Sequence, residues 1–367
     1  MRIVASVNRE AVESVVRALG QIGIVSGELA AGRSITLEHR QWLGGLWEQT
    51  VMVDTPLEIV RFLVSPALEE RALDIIIKTA RLDMTGRGSV SSEGVELLRA
   101  HPLCDENTAE GATRAGERLV LGALRGICCI VQRGQGELLA RVALDTGTCV
   151  PAITYGVGTG VRDKLGLLRI AISADKELIT LAAGVEDADG LMDLLIDRGK
   201  LEQPGKGFIY QYPLSRGLMD RGISRGKARH GASMEQIIAT LDELKGSAQW
   251  RSRSGGGTPE ARAPRKYLCD LTDLSLVCDE GRGEELVKAA MAVGAPGATI
   301  SKLRQLRLQQ GSAGSVSLAR ESCSMIVMQQ QVASIVQALD KAGAFDDATH
   351  GVLYGRAVPR ACTYLGK

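Results

Sequence analysis

Two short stretches of this 367-residue sequence bring glycines and cations together in a way that suits an anion. The first is GVGTG, Gly156–Gly160, followed at once by Arg162 and Lys164. Gly156, Gly158 and Gly160 permit positive φ and close approach of the backbone to a ligand, with Thr159 among them. Exposed N–H groups in such a loop, beside two cations, would cradle a phosphate. The second is RGKLEQPGKG, in which Arg198, Lys200 and Lys206 surround Gly205 and Gly207. Clustered cations with free backbone donors are what a polyphosphate requires. A sparser version, Gly86, Arg87 and Gly88, stands earlier in the chain. The plain alternatives are a hairpin turn for the first stretch and a solvated basic loop for the others.

Catalytic signatures are missing. GVGTGVRDK lacks the G-x-x-x-x-G-K-[ST] spacing of a Walker A loop, and no G-x-S-x-G or Cys–His context occurs. The eight cysteines include no C-x-x-C, and His39, His101, His230 and His350 stand apart, so no metal site is expected. The expectation is a non-enzyme. A nucleotide hydrolase using Asp163 or Asp175 near a metal is the distant alternative.

Composition bounds the rest. With 45% hydrophobic and 24% charged residues the chain is that of a globular protein of two or three domains. A net charge of +1 and 3% aromatic residues argue against nucleic acid as a partner. No apolar run approaches the ~20 residues a membrane span needs, and the N-terminus lacks the apolar core of a signal peptide. A cytoplasmic location is expected.

The elements that must position these residues recur. Arg2–Val7 reads as a strand and Glu10–Leu19 as a helix, through Val12, Val15, Val16 and Leu19. Two strands, Ile35–Trp42 and Trp47–Val53, flank a Gly44–Gly45 turn, and Trp42 and Trp47 form a candidate cross-strand pair and partner-docking tip. Pro56–Val64 is extended and Leu68–Ala80 is an amphipathic helix. The first helix then ends three times at a glycine, in VVRALGQIG, LARVALDTG and LVKAAMAVG, at Gly23, Gly147 and Gly294. Six residues after each come Leu29, Ile153 and Ile300. A second register follows: Leu82, Leu201 and Phe345 each lie six residues before Gly88, Gly207 and Gly351. Repeats of this length are whole folding units rather than solenoid turns. The order strand–helix–strand–strand–helix–strand is a split βαβ unit.

The fold class expected is therefore α+β, three tandem ferredoxin-like (βαββαβ) domains at 1–98, 123–216 and 267–367. Linkers fall at 99–122 and 217–266. Arg216–Lys266 carries eleven Lys/Arg against five Asp/Glu and contains SRSGGGTPEARAP, with Met234–Leu244 as a local helix.

On these residues the middle copy, Leu124–Arg216, resembles the PII signal-transduction proteins, trimeric nitrogen and carbon regulators. The order of elements, the Gly-rich segment after the second strand and RGKLEQPGKGFIYQYP at Arg198–Pro213 carry the resemblance. ARLDMTGRGSV at Ala80–Val90 carries it weakly in the first copy. The middle copy departs in having a short Gly156–Gly166 segment where the family has a long, modifiable loop, and in the extra Glu202–Pro204. The resemblance implies an intramolecular pseudo-trimer of PII-like domains. It also implies adenine nucleotide (ATP, ADP or AMP) held between neighbouring domains, and control of a protein partner by binding. In the third copy Asp346 and Asp347 stand where phosphate would sit, so that site is expected to be lost. A scaffold with degenerate sites is the rival expectation.

Overall fold

The computed structural model of the chain describes residues 1–42, 47–102, 121–160, 174–220, 244, 265–307 and 318–365. The first repeat comprises β1 (Arg2–Asn8), α1 (Val12–Gly20), β2 (Ser26–Trp42), β3 (Trp47–Leu63), α2 (Glu69–Ala80), β4 (Gly88–Glu93) and β5 (Glu96–Ala100). The second comprises β6 (Leu121–Gln132), α3 (Gly136–Asp145), β7 (Ala152–Gly160), β8 (Asp175–Gly184), α4 (Val185–Gly199) and β9 (Gly207–Leu218). The third comprises β10 (Leu271–Asp279), α5 (Gly283–Ala292), β11 (Gly297–Arg307), β12 (Ala319–Met328), α6 (Val332–Lys341), β13 (Val352–Val358) and β14 (Arg360–Thr363).

Local sequence explains the helices. In α2, Ala72, Leu73, Ile76, Ile77 and Ala80 recur at helical spacing and are all buried, giving one apolar face to the sheet. Each first helix is stopped by its repeated glycine: Gly23, Gly147 and Gly294 take φ of 83, 66 and 110°. That conformation is open to glycine at little cost and closes a helix end.

Several strands are covered on both faces. Ile3, Ala5 and Val7 of β1 pack under α1 and α2, while Val4 and Ser6 point to the opposite face and line an interior cavity. β10 is buried along nearly its whole length. Sheets covered on both faces lose the apolar-in, polar-out pattern.

Pairing between repeats corrects the expected fold class. The strands run β2-β3-β1-β4-β9-β6-β8-β7-β11, and β11 pairs back onto β2, every neighbour antiparallel. The fold is mostly β, built around this closed nine-strand antiparallel barrel, and it is not a set of tandem ferredoxin-like, PII-like domains assembled as a pseudo-trimer. The physical reason is edge satisfaction. An open sheet edge presents unpaired N–H and C=O groups, and here the edges of β4, β9 and β13 are met by strands of another repeat. The end of β9 pairs β4 (Val90↔Leu218, Ser91↔Gly217, Ser92↔Arg216), β5 pairs β13, and β14 pairs β9. The first repeat is thus finished by the second, the second by the third and the third by the first.

Ion pairs reinforce the seams. Glu58 of β3 accepts from Arg304 of the third repeat at 3.1 Å, and Glu177 of β8 from Arg33 of the first at 3.5 Å. Glu177 also accepts the N–H groups of Gly134 and Gly136 at the start of α3, at 3.0 and 2.7 Å, where a helix end favours negative charge.

The β2–β3 hairpin keeps register as far as Trp42↔Trp47, and Gly44–Gly45 lie outside the described residues. So do Leu167–Ser173 and, apart from Leu244, the expected helix Met234–Leu244. Among the described residues no helix is long and apolar enough to cross a membrane.

Candidate functional site

The loops that follow α2 and α4 have the same backbone. Arg81 and Lys200 end their helices in the left-handed region, at φ 54 and 53°, and Leu82 and Leu201 donate back to Ile77 and Ile196 at 2.9 and 3.0 Å. Met84 N–H then bonds Arg81 O as Gln203 N–H bonds Lys200 O, and Arg87 N–H bonds Met84 O as Lys206 N–H bonds Gln203 O. Gly86 and Gly205 take φ of 76 and 71°, and Gly88 and Gly207 take 119 and 144°. The last two have no alternative: a Cβ would stand 1.9 Å from Ser6 O at Gly88 and 2.6 Å from Ile130 O at Gly207. Arg87, Arg198 and Lys200 are exposed and Lys206 is half-buried. The basic stretches Gly86–Gly88 and Arg198–Gly207 are therefore two versions of one loop.

Each loop is met by the tail of another repeat. Gly88 N–H donates to the Asp220 carboxylate at 3.2 Å. The Thr363 hydroxyl donates to Gly207 O at 2.9 Å. His101 N–H donates to Gly351 O at 2.8 Å, and its Nε2 lies 2.8 Å from the Asp347 carboxylate. In the third copy Asp347 is thus engaged by a histidine of the first repeat, and His350 takes the left-handed turn at φ 48°.

Behind Gly88 lies a cavity of about 60 Å³ between the first two repeats, bordered by Ser6, Ser34, Ser91, Thr180, Tyr212 and Asp220. It has room for about four waters. Sites for drug-sized ligands run to ~300–1,000 Å³, so a whole nucleotide does not fit inside, and only a phosphate group could approach the Gly88 N–H from the cavity side. Burial, with Glu93 nearby, pushes the Tyr212 phenol up to about 12 despite the neighbouring arginines. Burial likewise pushes the Cys149 thiol on the cavity wall up to about 12, which leaves it protonated and unreactive at neutral pH.

The cavity floor belongs to a buried ionic knot that joins all three repeats. Glu93 receives both Arg2 and Arg356. Arg356 also reaches Asp273 at 2.5 Å, and its guanidinium lies 3.6 Å from the centre of the Tyr212 ring. Asp273 accepts from Ser324 at 2.8 Å and from the Tyr210 phenol at 3.3 Å. Burial alone would raise the Glu93 carboxyl, but the two guanidiniums and their hydrogen bonds outweigh it and hold it at about 2.

The other expected loop is placed differently. Gly156, Gly158, Thr159 and Gly160 lie in β7, which runs unbroken to Gly160 and pairs with β11 (Val157↔Ile300, Gly158↔Thr299, Thr159↔Ala298, Gly160↔Gly297). Thr159 spends its hydroxyl on that seam, accepting from Ala298 N at 3.3 Å. Close approach of two backbones, rather than a turn, is what Gly160 serves there, since a Cβ would stand 2.5 Å from Pro296 O, whereas at Gly156 and Gly158 it would first meet the side chains of Ser301, Thr299 and Lys176. Arg162 and Lys164 lie outside the described residues. Sequence reasoning missed Asp220, Thr363 and the ionic knot. Charged residues inside otherwise apolar strands, such as Arg356 in VLYGRAV, were the available signal for the last.

Comparison with protein-family models and with curated proteins finds no match for this chain.

Proposed function

We propose that the chain is a regulatory binding protein, not an enzyme, that senses adenine nucleotide at the seams between its repeats and controls a protein partner by binding. One observation carries the reading. In the first copy of the repeated loop the Gly88 N–H already holds a carboxylate, so this backbone shape seats an anion. In the second copy no carboxylate takes that place at Gly207 among the described residues, and Arg198, Lys200 and Lys206 precede it in the loop sequence. Polyphosphate at this loop would be held by its backbone donors and three cations, with the base against the seam. The seven described cysteines are all free, which suits a reducing, cytoplasmic setting. The partner is sought at the β2–β3 arm. Beyond Ser34 and Leu57 its described pairings are only with itself, as far as Trp42↔Trp47.

Calorimetric titration of ATP, ADP, AMP and cyclic nucleotides tests the reading. Charge-assisted hydrogen bonds are worth about 1.5–3 kcal/mol, so Lys206→Ala should weaken binding roughly ten- to a hundred-fold. Absence of binding to the wild type at millimolar nucleotide would instead leave a scaffold, its loops filled by its own tails. Turnover of the bound nucleotide would make it an enzyme.

A further inference from the structure

We infer that Asp220 is a built-in competitor for the anion at the first loop, so that this copy of the site is shut in the resting chain while the second is open. The inference rests on the reading that these loops take phosphate, and it names how that binding is regulated.

The carboxylate is aimed from both sides. Residues Arg216–Leu218 are locked in register against Ser92, Ser91 and Val90, and the Arg216 guanidinium is tied to Glu70. Past them, Val150 N–H holds Asp220 O at 2.7 Å. Asp220 itself is 6% exposed, buried with its Oδ2 3.2 Å from the Gly88 nitrogen. A ligand phosphate seeking the same N–H would meet a fixed negative charge, and like charges at one site exclude one another. Among the described residues the second copy has no such carboxylate. There the tail offers Thr363, a neutral hydroxyl, and offers it to the carbonyl of Gly207 rather than to its N–H. Two loops of one geometry therefore differ in what already sits on them. Lifting the second repeat's tail off β4 would open the first loop, linking occupancy there to the state of a seam.

Stoichiometry decides the matter. Titrated with ATP, the wild type should bind one equivalent, and Lys206→Ala should weaken it at least ten-fold. Asp220→Asn should bind two. In the Asp220→Asn, Lys206→Ala double variant one unweakened equivalent should remain, and adding Arg87→Ala should weaken it at least ten-fold. Asp220→Ser, which keeps a neutral oxygen for Gly88, gives a second route should the asparagine variant misfold; thermal unfolding checks both. Two equivalents in the wild type, or one in both charge-removed variants, overturns the inference and leaves the nucleotide reading standing. No binding by wild type or variants overturns both.

Discussion

Glu93→Gln should destabilise the chain by about 3–5 kcal/mol, the usual cost of leaving buried charge uncompensated. The glutamine keeps the shape but leaves Arg2 and Arg356 facing each other, with Asp273 beside Arg356 and the Glu28 carboxylate near Arg2 as remaining counter-charges. Proton linkage predicts the same loss in the wild type under acid. Folding lowers the Glu93 carboxyl from its ordinary 4.5 to about 2, so its contribution is fully present above pH 4.5 and disappears as pH falls towards 2. A shift of that size corresponds to roughly 3 kcal/mol. Urea unfolding of the two proteins between pH 7 and pH 2.5 checks both statements. The wild type should lose stability along the acid limb, and the variant should start lower and lose less. Equal stability at pH 7 would mean that the knot is neutral. Replacing Arg2, Glu93, Asp273 and Arg356 together by apolar residues of similar volume should cost far less than breaking the knot at one member.

Gly297→Ala is the second large effect, at about 3 kcal/mol or more. Gly297 sits at φ 151° directly opposite Gly160 at φ 118°, and a Cβ would stand 2.2 Å from Thr159 O. Neither backbone can yield without parting β7 from β11, where the barrel closes. A fall in Tm of roughly 4 °C or more is expected for a chain of this size. Gly134→Ala makes the control, since Gly134 takes φ 86° but a Cβ there meets nothing within 4 Å. It should suffer the strain of its φ without the clash. Equal losses from the two would show that the β7–β11 seam adds nothing beyond backbone strain.

These two cases mark where the sequence was legible. Short-range order was readable, because a helix is made by residues three and four apart and stopped by one glycine. Gly23, Gly147 and Gly294 all carry the left-handed turn that their spacing suggested. The six-residue offset from Leu82 to Gly88 and from Leu201 to Gly207 likewise marks two loops with the same hydrogen bonds. Partner choice between strands was not readable. Nothing local distinguishes a GVGTG that turns from a GVGTG that lets a distant strand come close, since both need the missing side chain. Nor does local pattern reveal that Leu218 belongs beside Val90 or Arg99 beside Leu353. Those pairings made the barrel, and their omission made the expectation of separate domains. Asp220 was hidden for the same reason: its importance lies in a glycine 132 residues away.

A chain whose first unit is finished by its second, its second by its third and its third by its first cannot mature in instalments behind the ribosome. The contacts that complete the three loops join residues 132, 156 and 246 positions apart. β4 waits for Leu218, β9 for Thr363, and β5 stays without its neighbour until β13 has been made. Such long-range closure slows folding, because chain entropy must be lost before the contacts form. Synthesis therefore leaves the edges of β5 and β9 exposed until β13 and β14 have emerged. A stop codon just before Arg360, downstream of every described helix, should be felt in the second repeat, whose β9 loses the β14 partner, rather than at the truncated end.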